Sequence, residues 1–208
     1  EQLEKINVAT RELVELQYST YNRSLVPQLE AKGIRIIDAF EELTAEQQEF
    51  VDKYFEETVY PVLTPMAVDA SRPFPLIRNK TLNIAAFLLK KGEKKKEENY
   101  EFATVQVPGV LPRIIPIPDG ENHSFILLEQ IIEKNMERLF LNYDVICAYP
   151  YRIMRNADLT IDEDEAEDLL QEIQKQLKKR QWGEIIRLEV EDKIDKKLLH
   201  FLKEELQI

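Results

Sequence analysis

Between Val62 and Asn83 the chain reads VLTPMAVDASRPFPLIRNKTLN, and Pro65, Pro73 and Pro75 forbid a regular helix through it. The stretch is apolar for a connector, and it delivers Arg72, Arg78 and Lys80 just where a strand is predicted to begin. Ahead of it the hydrophobic period is mainly helical, and behind it strand patterns appear. The chain is therefore limited to a mostly helical front and a sheet-bearing remainder, joined by a stiff lead into the first long strand.

From Leu3 through Leu29 the apolar residues fall on two helical lines, Leu3, Ile6 and Leu13 on one and Val14, Tyr18, Tyr21 and Leu25 on the other. Two apolar lines predict two packed neighbours. Pro27 should kink or restart the helix and Gly33 should stop it. A helix cannot bury two faces against a domain that only begins after it, so its partners are expected upstream. The opening in mid-helix without an initiator Met carries the same expectation, a piece of a longer protein.

After Gly33, IRIID predicts a strand, and Thr44 with Gln47 forms a capping box for a helix closed by Pro61. Phe50, Val51, Tyr54 and Phe55 are its expected buried stripe. TLNIAAFLL predicts a half-buried strand with Leu82, Ile84, Ala86 and Leu88 inward, returning through the solvated tip KKGEKKKEEN into YEFATVQVP as a β-hairpin. RIIPIP is a strand that tolerates Pro116 at an edge or an end, and SFILLEQIIEKNMERLF predicts a helix burying Leu128, Ile131, Ile132, Met136 and Leu139. The strand DVICAYPYRIMR leads to DEDEAEDLLQEIQKQLKKR, whose acidic first turn and basic last turn (Lys178, Lys179, Arg180) suit a helix dipole. The strand EIIRLEV and a helix from Asp192 to about Leu206 complete the chain. The predicted class is α+β: a long N-terminal helix, then a mixed β-sheet with a β-hairpin and several packed helices.

Chemistry is sparse. With 28 basic and 39 acidic residues the net charge is −11, which disfavours a surface generally adapted to nucleic acid or another polyanion, so any anion site must be local. Residues 62–90 provide one, because Arg72, Arg78, Lys80 and Lys90 face only Asp69, a local +3. Arg152 and Arg155 leave a strand three residues apart. They read either as salt bridges, from Arg155 to Asp158, Asp162 or Glu163, or as guanidinium forks for phosphate oxygens. The run Asp162 to Glu165 lacks the glycine and distal glutamate of a calcium loop and reads as a helix N-terminus. His123 and His200 have no zinc spacing, no metal site is expected, and neither a nucleophile elbow nor a phosphate-cradling glycine loop occurs. Cys147 is the only cysteine, as suits a reducing compartment, and reads as a small buried hydrophobe. No run approaches the ~18 apolar residues of a membrane span. The expected compartment is the cytoplasm, with membrane association of a longer parent left open.

YFEETVYPVLTPMAVDASRPFPLIRNKTLNIAAFLL and, about sixty residues on, YRIMRNADLTIDEDEAEDLLQEIQKQLKKRQWGEIIRLEV together resemble the head, or middle, domain of bacterial polyphosphate kinases. The resemblance covers essentially the whole chain. It implies that residues 1–32 are the last helix of a helical N-terminal domain and that residues 33–208 are the head domain. The activity it implies is reversible transfer of the terminal phosphate of ATP to polyphosphate through a phosphohistidine, with Mg2+. It also implies that the catalytic histidine and nucleotide contacts lie in C-terminal domains resembling phospholipase D and in the N-terminal domain. No catalytic residue is then expected in this chain, which alone would be inactive and bind neither ATP nor Mg2+ tightly. Expected partners are ATP, polyphosphate, the remaining domains and a second copy in a homo-oligomer, not nucleic acid. Arg72, Arg78, Lys80, Arg152 and Arg155 are the candidate polyphosphate contacts. Two departures from the family pattern stand out. Met154, Arg155 and Asn156 occupy a position that commonly reads Thr-Arg-Asp, and Arg78 replaces a small polar residue. The alternative from another class is a freestanding interaction module docking through the proline and aromatic stretch, without phosphate chemistry.

Overall fold

Pro27 shapes the first element. Helix α1 (Gln2–Thr20) runs into a π-helical turn (Tyr21–Leu25) before α2 (Val26–Glu30). Pro27 has no N–H, and its ring would press on the carbonyl of Arg23 in a regular helix. The turn widens around Arg23, and the Val26 N–H reaches back five residues to Tyr21 O. After α2 a turn over residues 31–33 ends at Gly33, whose φ of +75° is a left-handed conformation open to glycine. The computed structural model describes residues 2–68, 74–156 and 183–208. Within them α1 buries none of its side chains, and Leu3, Ile6 and Leu13 of the predicted apolar line are all exposed.

The chain forms two compact units, one from residues 1–56 and 112–131, the other from 57–111 and 132–208. In the first, β1 (Ile34–Ile37) pairs in parallel with β6 (His123–Leu127), and β5 (Ile114–Ile117) pairs antiparallel on the other side of β6. Pro116 thus sits on an edge strand, where a missing donor is tolerated. Helix α3 (Ala45–Tyr54) begins with the expected box: Gln47 N–H donates to Thr44 Oγ1 at 3.3 Å and Thr44 N–H to Gln47 Oε1 at 3.0 Å. Gln47 also donates to Pro118 O at 2.8 Å, so one buried amide closes the cap and ties α3 to the loop after β5. Thr44→Ala should lower stability by about 1 kcal/mol, read as a lower urea midpoint at unchanged m. An unshifted midpoint would remove the cap from the account of this helix.

The four-residue stripe of α3 is half right. Val51 and Phe55 are fully buried, whereas Phe50 and Tyr54 stack on each other at 6.5 Å on the more open side. The two pairs lie about 100° apart around the helix, and one line faces the core. The single helix predicted from Ser124 onward also needs correction. Its first residues are β6, the middle strand of the small sheet, and helix α4 (Leu128–Lys134) starts only afterwards, followed by α5 (Met136–Leu139). Pairing to strands on both sides overrides the local helical period.

The second unit holds a five-stranded antiparallel sheet in the order β2-β4-β3-β7-β8. Its strands are β2 (Pro65–Val68), β3 (Leu82–Lys90), β4 (Tyr100–Gln106), β7 (Tyr143–Arg155) and β8 (Ile185–Val190). The class is α+β, with parallel pairing confined to the smaller sheet. β3 and β4 are the predicted hairpin. β3 is not half-buried, however: paired to β4 and β7 at its edges and covered on both faces, it buries every side chain from Asn83 to Leu89. Such a central strand is continuously apolar rather than alternating. β2 lies within the proline-rich stretch as an edge strand, with Pro65 at its first position. Helix α6 (Lys196–Leu206) starts four residues later than predicted because Asp195 caps it, accepting from Lys197 N–H at 2.9 Å and Leu198 N–H at 3.1 Å. Its Leu198, Leu202 and Leu206, spaced by four, pack with Ala85, Phe87 and Phe102 of the sheet.

Candidate functional site

The segment leading into β3 docks on the end of β7. Residues 78–81 form a tight turn in which Arg78 O accepts from Thr81 N–H at 3.4 Å and from Thr81 Oγ1 at 2.9 Å. Lys80 N–H donates to Ile153 O at 2.9 Å, and Arg155 N–H donates to Asn79 Oδ1 at 2.9 Å. Asn83, nearly fully buried, donates to Thr81 O at 2.9 Å. The turn is thereby fixed from both strands. Lys80 sits third in it with φ of 62°, a place that favours glycine or asparagine.

Four of the five candidate cations belong to this turn and the adjoining end of β7; Arg72 lies outside the described residues. Arg155 is turned inward: its Nε and Nη2 donate to Ile77 O at 3.2 and 3.1 Å and its Nη1 to Gly183 O at 2.9 Å. Burial pushes its pKa down, yet a guanidinium stays charged at neutral pH. The guanidinium therefore fastens the lead into β3 to the lead into β8. Gly183 is required there, because a Cβ would stand 2.2 Å from Asn156 O. Arg152 donates through Nε to Glu189 Oε2 at 2.7 Å, directly across the β7–β8 ladder, and Arg187 Nε lies 3.1 Å from Glu189 Oε1. Glu189 is thus held between two guanidiniums. Arg78 and Lys80 are exposed, and among the described residues their side chains form no ion pair or hydrogen bond.

A cavity of about 670 Å³ opens beside Arg155, lined by Phe74, Leu76, Gly183, Glu184, Glu205 and Gln207 among others. Its two carboxylates, Glu184 and Glu205, oppose an anion. The carboxylates proposed for Arg155, Asp158, Asp162 and Glu163, lie outside the described residues, as does the helix predicted there. Among the described residues, Ile77 O and Gly183 O accept from the Arg155 guanidinium. That arrangement had no sequence signal, because Ile77 is 78 residues away and contributes only its backbone. Glu189 was equally hidden, since only the strand register brings it opposite Arg152.

The remaining chemical candidates are dispersed. His123 opens β6 and is exposed; His200 is exposed on α6, with Nε2 3.2 Å from Glu204 Oε1. Among the described residues no three His, Cys, Asp or Glu side chains gather as a metal site. Cys147 is half-buried on β7, and burial raises its thiol pKa, the opposite of an activated nucleophile. At the β3–β4 tip Lys96 pairs with Glu98 at 3.1 Å in solvent.

The family model described as the polyphosphate kinase middle domain matches residues 46–208. A polyphosphate kinase of Bacillus anthracis is 46% identical over 209 residues, an alignment that takes in all of this chain and 30% of that protein. One from Lactiplantibacillus plantarum is 47% identical over 196 residues, covering 94% of this chain and 27% of the relative. The crystal structure of polyphosphate kinase from Porphyromonas gingivalis superposes with a TM-score of 0.75 at 23% identity, over 100% of this chain and 29% of that one, a likeness of fold. The chain thus spans about 30% of the length of the curated relatives it matches.

Proposed function

Because the chain belongs to the polyphosphate kinase middle-domain family, we propose that it is the middle portion of an enzyme that reversibly transfers the terminal phosphate of ATP to linear polyphosphate. The observation carrying this reading is near-half identity to polyphosphate kinases across the full 208 residues. In this reading the phosphate passes through a histidine outside residues 1–208, and ATP with Mg2+ binds there too. Magnesium would supply charge neutralisation on the phosphates. This chain's own residues supply scaffold: the five-stranded sheet, the Arg155 clamp and the cationic turn it steadies. The exposed apolar lines of α1 would pack on other helices of the same protein, and the head would contribute contacts in a homo-oligomer. No described helix is long and apolar enough to cross a membrane, and a cytoplasmic setting is part of the proposal.

Full-length protein incubated with γ-radiolabelled ATP and Mg2+ tests the reading. Acid-labile label on a histidine outside residues 1–208, together with polyphosphate formation, is expected. Label on His123 or His200 would place the chemistry in this chain and overturn the assignment of roles.

A further inference from the structure

Lys80 occupies a backbone conformation that a glycine would adopt at no steric cost. Its side chain gains no ion pair or hydrogen bond among the described residues, so the strain is offset by backbone contacts of the turn and not by the lysine's own ammonium. Four hydrogen bonds to and within the turn hold it in place, from Lys80 N–H, Arg155 N–H and the two donors of Thr81. Arg78, at the start of the same turn, is also exposed. Arg152 and Arg155, by contrast, are committed to Glu189 and to backbone carbonyls. From Phe74 to Lys90 the sequence has three cations, Arg78, Lys80 and Lys90, and no acid, in a chain of net charge −11. Such a local reversal of sign recruits an anion that many weak contacts can hold, because each phosphate neutralised releases a counterion.

We propose that the Arg78–Thr81 turn contacts a linear phosphoanhydride chain, with Lys80 as the principal cation and Arg78 as the second. The inference rests on the polyphosphate kinase reading and narrows it, assigning Arg152 and Arg155 to structure. Polyphosphate is the occupant; the triphosphate of ATP shares its chemistry and is separated by the test. In the full-length enzyme, Lys80→Gly removes the charge and relieves the backbone together, and Lys80→Asn removes the charge with a residue that tolerates this conformation. KM for polyphosphate is expected to rise about tenfold at low salt, the scale of one charge-assisted contact. Its salt dependence should become shallower by about one counterion. KM for ATP should stay unchanged, and the Tm of at least one of the two variants should not fall, which keeps the test valid if the other folds poorly. Lys80→Arg should restore most of the affinity. Unchanged KM for polyphosphate in both variants, or a rise confined to ATP, overturns the proposal. An unmutated enzyme that makes no polyphosphate from ATP would instead remove the family-level reading and this inference with it.

Discussion

Arg155→Ala is expected to destabilise the sheet-bearing unit by about 2–4 kcal/mol, seen as a fall in the urea midpoint followed by circular dichroism. Three donors of one guanidinium serve Ile77 O and Gly183 O at 2.9 to 3.2 Å. A hydrogen bond from a charged donor contributes about 1.5–3 kcal/mol, but the group is only partly buried and the three bonds share one side chain, so the sum is well below three times that. Truncation leaves two carbonyls without their donor at a place where the segment before β3 meets the segment before β8. The conservative change Arg155→Lys should recover only part of the loss, since one ammonium cannot span both carbonyls as the fork does. A loss below about 0.5 kcal/mol, the range of ordinary surface changes, would mean that water replaces the clamp without cost.

The same residue marks how far the sequence can be read. Capping at Thr44 and Gln47 and the break before Pro27 are local rules, and each holds because its partners lie within a few residues. The α+β class follows from the order of those local signals. Failures occur where a partner is remote. β6 is a strand because β1 and β5 flank it, and the face of β3 that carries Ala85 and Phe87 is buried because Leu198, Leu202 and Leu206, more than a hundred residues on, pack with it. At the candidate site the excess of positive charge was legible from composition alone. Its division into outward cations, Arg78 and Lys80, and structural ones, Arg152 and Arg155, was not. That division depends on the register that sets Glu189 opposite Arg152 and on the docking of the 78–81 turn against Ile153. The left-handed backbone of Lys80 was hidden for a further reason. Asn-Lys carries no glycine to announce it, so the position looks ordinary until the backbone is seen.

Phe102→Ala should cost more than any other substitution considered, about 3–5 kcal/mol, because it empties the centre of an aromatic cluster. Phe102 is 2% exposed on β4, opposite Phe87 of β3 on one side and Val68 of β2 on the other. Its ring centroid lies 4.8 Å from that of Phe201 on α6 and 5.2 Å from that of Phe74, both near-parallel contacts. Each ring pair adds about 0.5–1.5 kcal/mol beyond buried area. Phe102→Leu, which keeps more of the volume and loses the ring contacts, should cost markedly less, and the difference between the two variants separates cavity from stacking. Phe74 lies three residues before Ile77, so Phe102 grips by its ring the same segment that Arg155 grips by a carbonyl. If the two anchors act on one rigid segment, releasing either weakens the other. The double variant Arg155→Ala/Phe102→Ala should then lose less stability than the sum of the singles, by at least about 0.5 kcal/mol. Strict additivity in that cycle would mean that the lead into β3 is held at two independent points.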